Sequence, residues 1–183
     1  MGVYSKLNRT IVVVEYDPRW PGLFETERER LVSLLGDRLV DIQHIGSTAI
    51  PGLAAKPVID IAVGLQELPT AENCLPILEN AGYAYEPELE VALPDRRFLW
   101  RVDPTGQRYH LHLAGIHSRL RSAPIVFRDY VRWHPEAASE YGQLKERLAS
   151  ECGSDVGAYI DGKAGFVDKI LGRANAEAAS ADR

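Results

Sequence analysis

The stretch HIGSTAIPGLAAKPVIDIAV, residues 44–63, is the part of the sequence that decides the fold. A turn at Gly46 and Ser47 leads into a connection broken by prolines and a glycine, and then into an apolar segment with one acidic residue, Asp60. The segments 39–45 and 58–65 are rich in β-branched residues and bounded by turn residues, which predicts two strands. The stretch therefore raises two questions: whether the turn holds a phosphate, and whether Asp60 binds a metal.

Strands dominate the middle of the chain and helices dominate its end. Two further strands are predicted at 98–102 and 109–114, around a hairpin turn in DPTGQ. Helices are predicted from Pro18 to Gly36, over 71–81, and in most of the chain after about Ile125. This order predicts an α+β fold, a mixed sheet with helices packed mainly on one face and a helical C-terminal part. We expect a single domain over residues 1–173 and a frayed polar tail over residues 174–183.

The composition is that of an ordinary globular protein, with 45% hydrophobic and 26% charged residues in a chain of 183. A net charge of −5 argues against nucleic acid as a general partner. No apolar run approaches the ~20 residues of a membrane span, and the N-terminus lacks a signal-peptide core. The two cysteines match no metal-ligand spacing. We therefore expect a cytoplasmic protein with no membrane partner, and the sequence indicates no oligomeric state.

Three predicted strands each have an apolar face and a face with ionisable groups, because side chains alternate across a strand. Asp60 shares one face with Ala62, and His110 shares a face with His112. We expect helices on the apolar side and an open cleft on the other. The candidate cleft residues are Asp60, His110 and His112, with Arg97 and Arg101 as phosphate contacts. A solvated polar face is the alternative.

The Gly-Ser turn has the chemistry of an anion site. Gly46 lets backbone N–H groups approach an anion without a Cβ in the way, and Ser47 and Thr48 add hydroxyl donors. Lys56 lies ten residues after Gly46 and is a candidate for the same charge. Lys163, four residues after a tyrosine on the last predicted helix, is a further candidate phosphate contact. Taken alone, the turn also fits an ordinary helix cap.

Together these motifs resemble the nucleotidyltransferase superfamily of the polymerase-beta type, in which a hydrophobic-Gly-Ser turn precedes an Asp on a strand. More closely, the chain is similar to the GrpB (UPF0157) family of that superfamily. The matching segments cover nearly the whole chain: YDPRWPGLFETER, HIGSTAIPGLAAKPVIDIAV, RRFLWR, YHLHL, FRDYVRWHPEAASEYGQLKERLA and YIDGKAGFVDKIL. The biochemical role of the family is not settled, so the resemblance implies a fold and a site location rather than a reaction.

The resemblance implies that the turn binds a nucleotide triphosphate and that carboxylates spaced Asp-x-Asp hold divalent metals, with a third carboxylate on a neighbouring strand. Asp60 matches the first carboxylate and is the candidate catalytic residue, but Ala62 stands at the second position. The strand expected to carry the third carboxylate has His110 and His112 instead. One Asp with two His suits a single Zn²⁺, Mn²⁺ or Fe²⁺ better than a Mg²⁺ pair. We therefore expect a divalent metal on these three residues, and its identity among Mg²⁺, Mn²⁺ and Zn²⁺ stays open.

Three functions are compatible with these observations. The first is a nucleotidyltransferase-like protein that binds a nucleotide or phosphorylated small molecule with a metal and transfers a nucleotidyl or phosphoryl group. The second is a non-catalytic nucleotide-binding accessory module, because members of the family resemble the extra domain fused to some dephospho-coenzyme A kinases. The third is a single-metal phosphoester hydrolase. Turnover of ATP separates the first from the second, and hydrolysis without an acceptor indicates the third.

Overall fold

The computed structural model describes residues 10–181 and has a five-stranded mixed sheet with α-helices on both of its faces. The strands are β1 (Leu39–Ile45), β2 (Val58–Leu65), β3 (Ala84–Tyr85), β4 (Arg97–Val102) and β5 (Arg108–Gly115). The helices are α1 (Trp20–Leu35), α2 (Thr70–Asn80), α3 (Arg119–Trp133), α4 (Pro135–Cys152) and α5 (Val156–Ala181). The predicted α+β class and the four predicted strands are confirmed.

The sheet order is β1-β2-β5-β4-β3, with β2 and β5 parallel and the other pairs antiparallel. The parallel register places Asp60 of β2 beside His110 of β5, and Ala62 beside His112. Every residue of β2 except Asp60 is buried, which is typical of a central strand covered on both faces. The topology therefore brings the three candidate ligands together in the centre of the sheet.

The first layer of helices covers the apolar face of the sheet. Helix α1 buries Phe24, Leu31 and Leu35 against the same core as Ile59 and Leu111. In the turn before the helix, the carboxylate of Asp17 accepts a hydrogen bond of 2.9 Å from the backbone N–H of Arg19. The predicted helices 18–36 and 71–81 correspond to α1 and α2, so this layer follows from the apolar spacing of the sequence.

The second face of the sheet is also covered, which corrects the expectation that helices pack mainly on one face above an open cleft. Arg128 of α3 donates hydrogen bonds to Gln43 Oε1 at 3.1 Å and to the His44 carbonyl at 2.7 Å. Gln43 lies opposite Ala62 and therefore on the Asp60 face. Helix α3 begins at Arg119, earlier than the predicted Ile125. The apolar stripes of α3, α4 and α5 form a core of their own, and α3 joins this core to the second face of the sheet.

The chain end is helical where its composition predicts a frayed tail. Helix α5 continues to Ala181, and residues 182–183 lie outside the described part of the chain, as do residues 1–9 of the expected domain. Ala174 packs against the core of α3 and α4, and Glu177 accepts a hydrogen bond of 3.1 Å from the Tyr130 hydroxyl. Alanine also has the highest helix propensity. These contacts and this composition account for the added turns.

Between residues 10 and 181, none of the helices combines the length and the apolar character that crossing a bilayer requires.

Candidate functional site

A cavity of about 350 Å³ lies between the Asp60 face of the sheet and helix α5. Its walls come from β2, β4 and β5, from the turn after β1, from the segment before β4 and from α5. The polar side chains in the wall are those of Ser47, Thr48, Lys56, Asp60, Arg96, Arg108, His110, His112, Tyr159 and Lys163. The apolar ones are Val58, Leu89, Leu93, Phe98, Val156 and Ile160.

Most of the residues singled out in the sequence meet at this cavity. The candidate ligands Asp60, His110 and His112 line it, and so do the turn residues Ser47 and Thr48. The lysines at positions 56 and 163 complete the set. Residues from separate segments of the chain therefore converge at one cavity, among them Asp60, His110 and His112, which are expected from strand alternation to face the same cleft.

Arg97 and Arg101 lie on the opposite face of the sheet, which corrects the expectation that they face the cleft. Arg97 pairs with Glu72 of α2 at 2.9 Å, and Arg101 pairs with the buried Glu27 of α1 at 2.5 Å. The reason is the β4–β5 register, in which Phe98 stands beside His112 and shares its face. The sequence shows that side chains alternate within each strand. It does not show which set of β4 side chains lies on the same face as the histidines of β5.

Arg96 and Arg108 stand in the cavity wall and were missed in the sequence. Arg108 could have been found, because it precedes His110 by two residues and therefore shares its strand face. Arg96 precedes β4 and carries no periodic signal, yet its Nη1 lies 3.0 Å from His112 Nδ1. The cavity thus has two guanidinium groups, but they belong to Arg96 and Arg108 instead of the predicted Arg97 and Arg101.

The carboxylate of Asp60 is the hydrogen-bond acceptor at the centre of the cavity. Its Oδ1 lies 3.2 Å from His110 Nδ1 and 3.4 Å from His112 Nε2. Burial alone would raise the pKa of Asp60, but the hydrogen bonds from His110 and His112 outweigh that effect and hold the pKa well below its ordinary value. Asp60 is therefore a carboxylate at neutral pH, and both imidazoles point at one of its oxygens.

The contact with Arg96 determines the tautomer of His112. A guanidinium has donors and no acceptor, so His112 Nδ1 must carry the lone pair and Nε2 must carry the proton that faces Asp60. Burial, followed by the positive charge of Arg96, lowers the pKa of His112 to about 4. His112 is therefore neutral at physiological pH, and both of its nitrogens are already engaged.

These donors do not fit the expected metal centre. A metal needs a lone pair from each ligand, but His112 directs an N–H at Asp60 and its lone pair at Arg96. Ala62 leaves the second carboxylate position empty of any donor. Within the part of the chain that the structure describes, no cluster of three His, Cys, Asp or Glu side chains has a geometry that could hold a metal. The metal on Asp60, His110 and His112 remains a prediction, and no step of the function proposed below passes through it.

Gly46 makes room for the carboxylate of Asp60. Its φ is +71°, in the region that favours glycine, and a Cβ at this position would lie 2.5 Å from Asp60 Oδ2. The glycine of the turn therefore has a structural role: it allows the turn to pack directly against the strand carboxylate. Its expected role of presenting backbone N–H groups to a phosphate remains a prediction.

The Thr48 hydroxyl is engaged within the protein. It donates to the Val58 carbonyl at 2.9 Å and accepts from His44 Nε2 at 3.0 Å. His44, which shares its strand face with Ile42 and is expected to be a core-edge histidine, indeed lies on the core side and stacks on Phe24. Thr48 therefore ties the turn to β1 and β2, and its side-chain proton is not available to a ligand in this arrangement.

We expect acid pH to destabilise the fold through His44. Burial, with a smaller effect of the nearby guanidinium groups, lowers the pKa of His44 from 6.5 to about 4. Between these pH values the unfolded chain binds a proton that the folded chain does not, so stability falls as the pH is lowered through this window. Urea unfolding across the window should show a steeper loss for the wild type than for His44→Gln. Parallel losses would contradict the prediction.

Two lysines flank one aromatic ring at the α5 side of the cavity. Lys163 Nζ lies 4.3 Å and Lys56 Nζ 5.4 Å from the centre of the Tyr159 ring, distances typical of cation–π contacts. Burial, followed by repulsion from Lys56, lowers the pKa of Lys163 to about 8. Lys163 is therefore still mostly charged at neutral pH, and the structure brings both predicted lysines to the same point.

Comparison with known proteins gives a consistent result. A family model described as GrpB protein matches residues 10–173. A UPF0157 protein of Halalkalibacterium halodurans is 34% identical, over 96% of this chain and 88% of its own. The crystal structure of the conserved protein GrpB from Enterococcus faecalis superposes with a TM-score of 0.79 at 34% identity, covering 89% of this chain and 96% of the other. A dephospho-CoA kinase of Mycolicibacterium paratuberculosis is 32% identical over 81% of this chain, which corresponds to 42% of that protein.

Proposed function

The chain belongs to the GrpB family, and on that premise we propose that it binds a nucleotide or another phosphorylated small molecule in the cavity beside Asp60. The observation that carries the proposal is the charge of the wall. Four cationic side chains, those of Lys56, Arg96, Arg108 and Lys163, surround one carboxylate. That carboxylate already accepts hydrogen bonds from two imidazoles. Such a wall favours an anion.

The shape of the cavity supports a small molecule as the ligand. Its volume of about 350 Å³ is within the range of ligand pockets, roughly 300–1,000 Å³. Apolar side chains, among them Leu89, Phe98 and Ile160, share the wall with the cations. A ligand with a charged phosphate part and a less polar remainder, as in a nucleotide, matches both kinds of surface.

The relatives named dephospho-CoA kinase support a nucleotide-related role. In the protein from Mycolicibacterium paratuberculosis, the part similar to this chain is 42% of the whole, so the kinase name belongs to a longer protein. A non-catalytic nucleotide-binding module is favoured over an enzyme that transfers a nucleotidyl or phosphoryl group. The reason is that the side chains around Asp60 lack the paired carboxylates of metal-dependent phosphoryl transfer. Nucleotidyl or phosphoryl transfer and phosphoester hydrolysis remain predictions that a turnover assay would address.

Calorimetric titration of ATP into the full-length protein tests the proposal. We expect saturable binding that Lys163→Met weakens by about tenfold or more, because a charge-assisted hydrogen bond in a buried site contributes about 1.5–3 kcal/mol. Lys169→Met is the matched control, since Lys169 lies on the same helix, is half-exposed and pairs with Glu140 at 3.1 Å. Absence of binding by ATP and by pyrophosphate, or equal loss in both variants, would contradict the proposal.

A further inference from the structure

The cavity has positive charge at separate positions along one strand. Arg108, His110 and His112 follow one another on the same face of β5, so the Cα atoms of the first and last are roughly 13 Å apart in an extended strand. The guanidinium of Arg96 lies at the His112 end, and Arg108 begins the strand at the other. The Arg108 guanidinium lies 4.6 Å from the centre of the Trp100 ring, and Trp100 stands beside His110 rather than beside His112. Cations at separate positions along the strand match a chain of two or more phosphoryl groups better than a single phosphate.

The two lysines add a third cationic position, beside the ring of Tyr159 on the helix that faces the strand. Lys56 precedes β2 and Lys163 lies on α5, and both contact the ring of Tyr159. Lys163 lines the same cavity as Asp60, and the negative charge of that carboxylate favours the protonated form of the lysine. The cations therefore surround the Asp60 centre from the strand side and from the helix side.

This arrangement has the electrostatic effect that a metal ion would have in phosphoryl binding. Divalent ions neutralise phosphate charge and fix its oxygens, and arginine and lysine do the same with N–H donors. Here Arg96 occupies the lone pair of His112, and the surrounding cations repel a divalent ion. The same side chains thus disfavour the metal and replace its charge.

We propose that the cavity binds a ligand with two or more linked phosphoryl groups as the free anion, without a divalent metal, with Arg96, Arg108, Lys56 and Lys163 supplying the positive charge. The inference rests on the function proposed above. Asp60 is then a positioning residue that holds the two imidazoles, rather than a metal ligand. The order of affinity expected for inorganic probes is tripolyphosphate above pyrophosphate above phosphate.

The substitution Asp60→Asn is expected to change pyrophosphate affinity in opposite directions for a metal-bridged site and for a metal-free anion site. In a metal-bridged site, removal of the carboxylate removes a ligand and abolishes binding. In the anion site, the same change removes the one negative charge of the wall, so pyrophosphate binding in EDTA becomes tighter. Circular dichroism and urea unfolding establish that the variant is folded. Arg96→Met serves as the second variant, with an expected loss of about tenfold in EDTA that added metal does not restore.

The experiment is calorimetric titration of pyrophosphate, tripolyphosphate and ATP in EDTA and again with Mg²⁺, Mn²⁺ or Zn²⁺, with Lys169→Met as the charge-matched control. Binding in EDTA that is at least as tight as binding with metal supports the inference. Binding that requires a metal and is lost in Asp60→Asn overturns the inference and leaves the function proposed above intact. Binding of none of the three probes under any condition overturns both.

Discussion

Replacing Glu27 with alanine is expected to lower the free energy of unfolding by about 3–5 kcal/mol, the cost of removing one partner from a buried ion pair. Glu27 lies on α1 and is only 2% exposed. Its carboxylate accepts hydrogen bonds from Arg101 at 2.5 Å and from Arg30 at 3.1 Å, and also from the Tyr83 hydroxyl. The substitution leaves the Arg101 charge and the buried hydroxyl without this acceptor.

Urea unfolding monitored by circular dichroism measures this loss, with the midpoint and the slope reported separately. Glu25→Ala is the matched control, because Glu25 lies on the same helix but pairs with Arg28 at the surface, where both side chains are more than one-third exposed. An exposed pair of this kind contributes about 0–1 kcal/mol. Similar losses in the two variants would contradict the assignment of Glu27 as the acceptor that holds α1 to β4.

The Glu27 cluster also separates stability from ligand binding. It lies on the core face of the sheet, with Arg101, whereas the cavity is on the Asp60 face. Pyrophosphate binding by the folded fraction of Glu27→Ala should therefore match that of the wild type once the unfolded fraction is taken into account. A change in the affinity of the folded protein would show that the two faces are coupled.

Gly46→Ala is expected to cost about 3 kcal/mol, from two effects that add. Gly46 has φ of +71° and ψ of −173°, a backbone region that is essentially restricted to glycine, and a residue with a Cβ pays about 1–3 kcal/mol there. The new methyl group would also lie 2.5 Å from Asp60 Oδ2 and 3.1 Å from Asp60 Cβ, and overpacking of this kind costs about 1–3 kcal/mol. Because β2 is an interior strand, it cannot shift to relieve the contact without breaking its pairing with β1 and β5.

Gly52→Ala isolates the backbone effect from the contact. Gly52 has a similar φ of +76°, but a Cβ there would have no neighbour within 4 Å. We therefore expect it to lose only the backbone part, about 1–2 kcal/mol. The difference between the two variants measures the contact between the turn and the carboxylate. Equal losses would show that Gly46 is required by its conformation alone.

The resemblance and the strand alternation together predict from the sequence that several of the cavity residues lie close to one another. Asp60 on one strand and His110 with His112 on another were expected to meet, and the parallel pairing of β2 with β5 brings them together. A turn ending a strand next to them was expected to lie beside Asp60, and Gly46 does. These features were predictable because strand periodicity and turn chemistry are local properties of the chain.

The face on which the arginines of β4 lie was not predictable, whereas Lys56 and Lys163 were predicted and do line the cavity. Arg97 and Arg101 were expected in the cleft, yet the β4–β5 register turns them to the core face and leaves Arg96 and Arg108 in the wall. A shift of register by one residue reverses the face of every side chain in a strand. Register depends on partners that are distant in sequence, so the local pattern could not decide it.

The sequence by itself determined the α+β class, the main strands and the residues that are chemically able to form a site. Tertiary structure alone decided that α3 packs on the second face and that α5 faces it across the cavity. It also decided that Arg96 engages the lone pair of His112 and that the lysines meet at Tyr159. The physical reason is the distance along the chain over which each effect acts. Propensity and periodicity act over a few residues, whereas the sheet face that a helix covers and the charge of a cavity depend on which distant segments pack together.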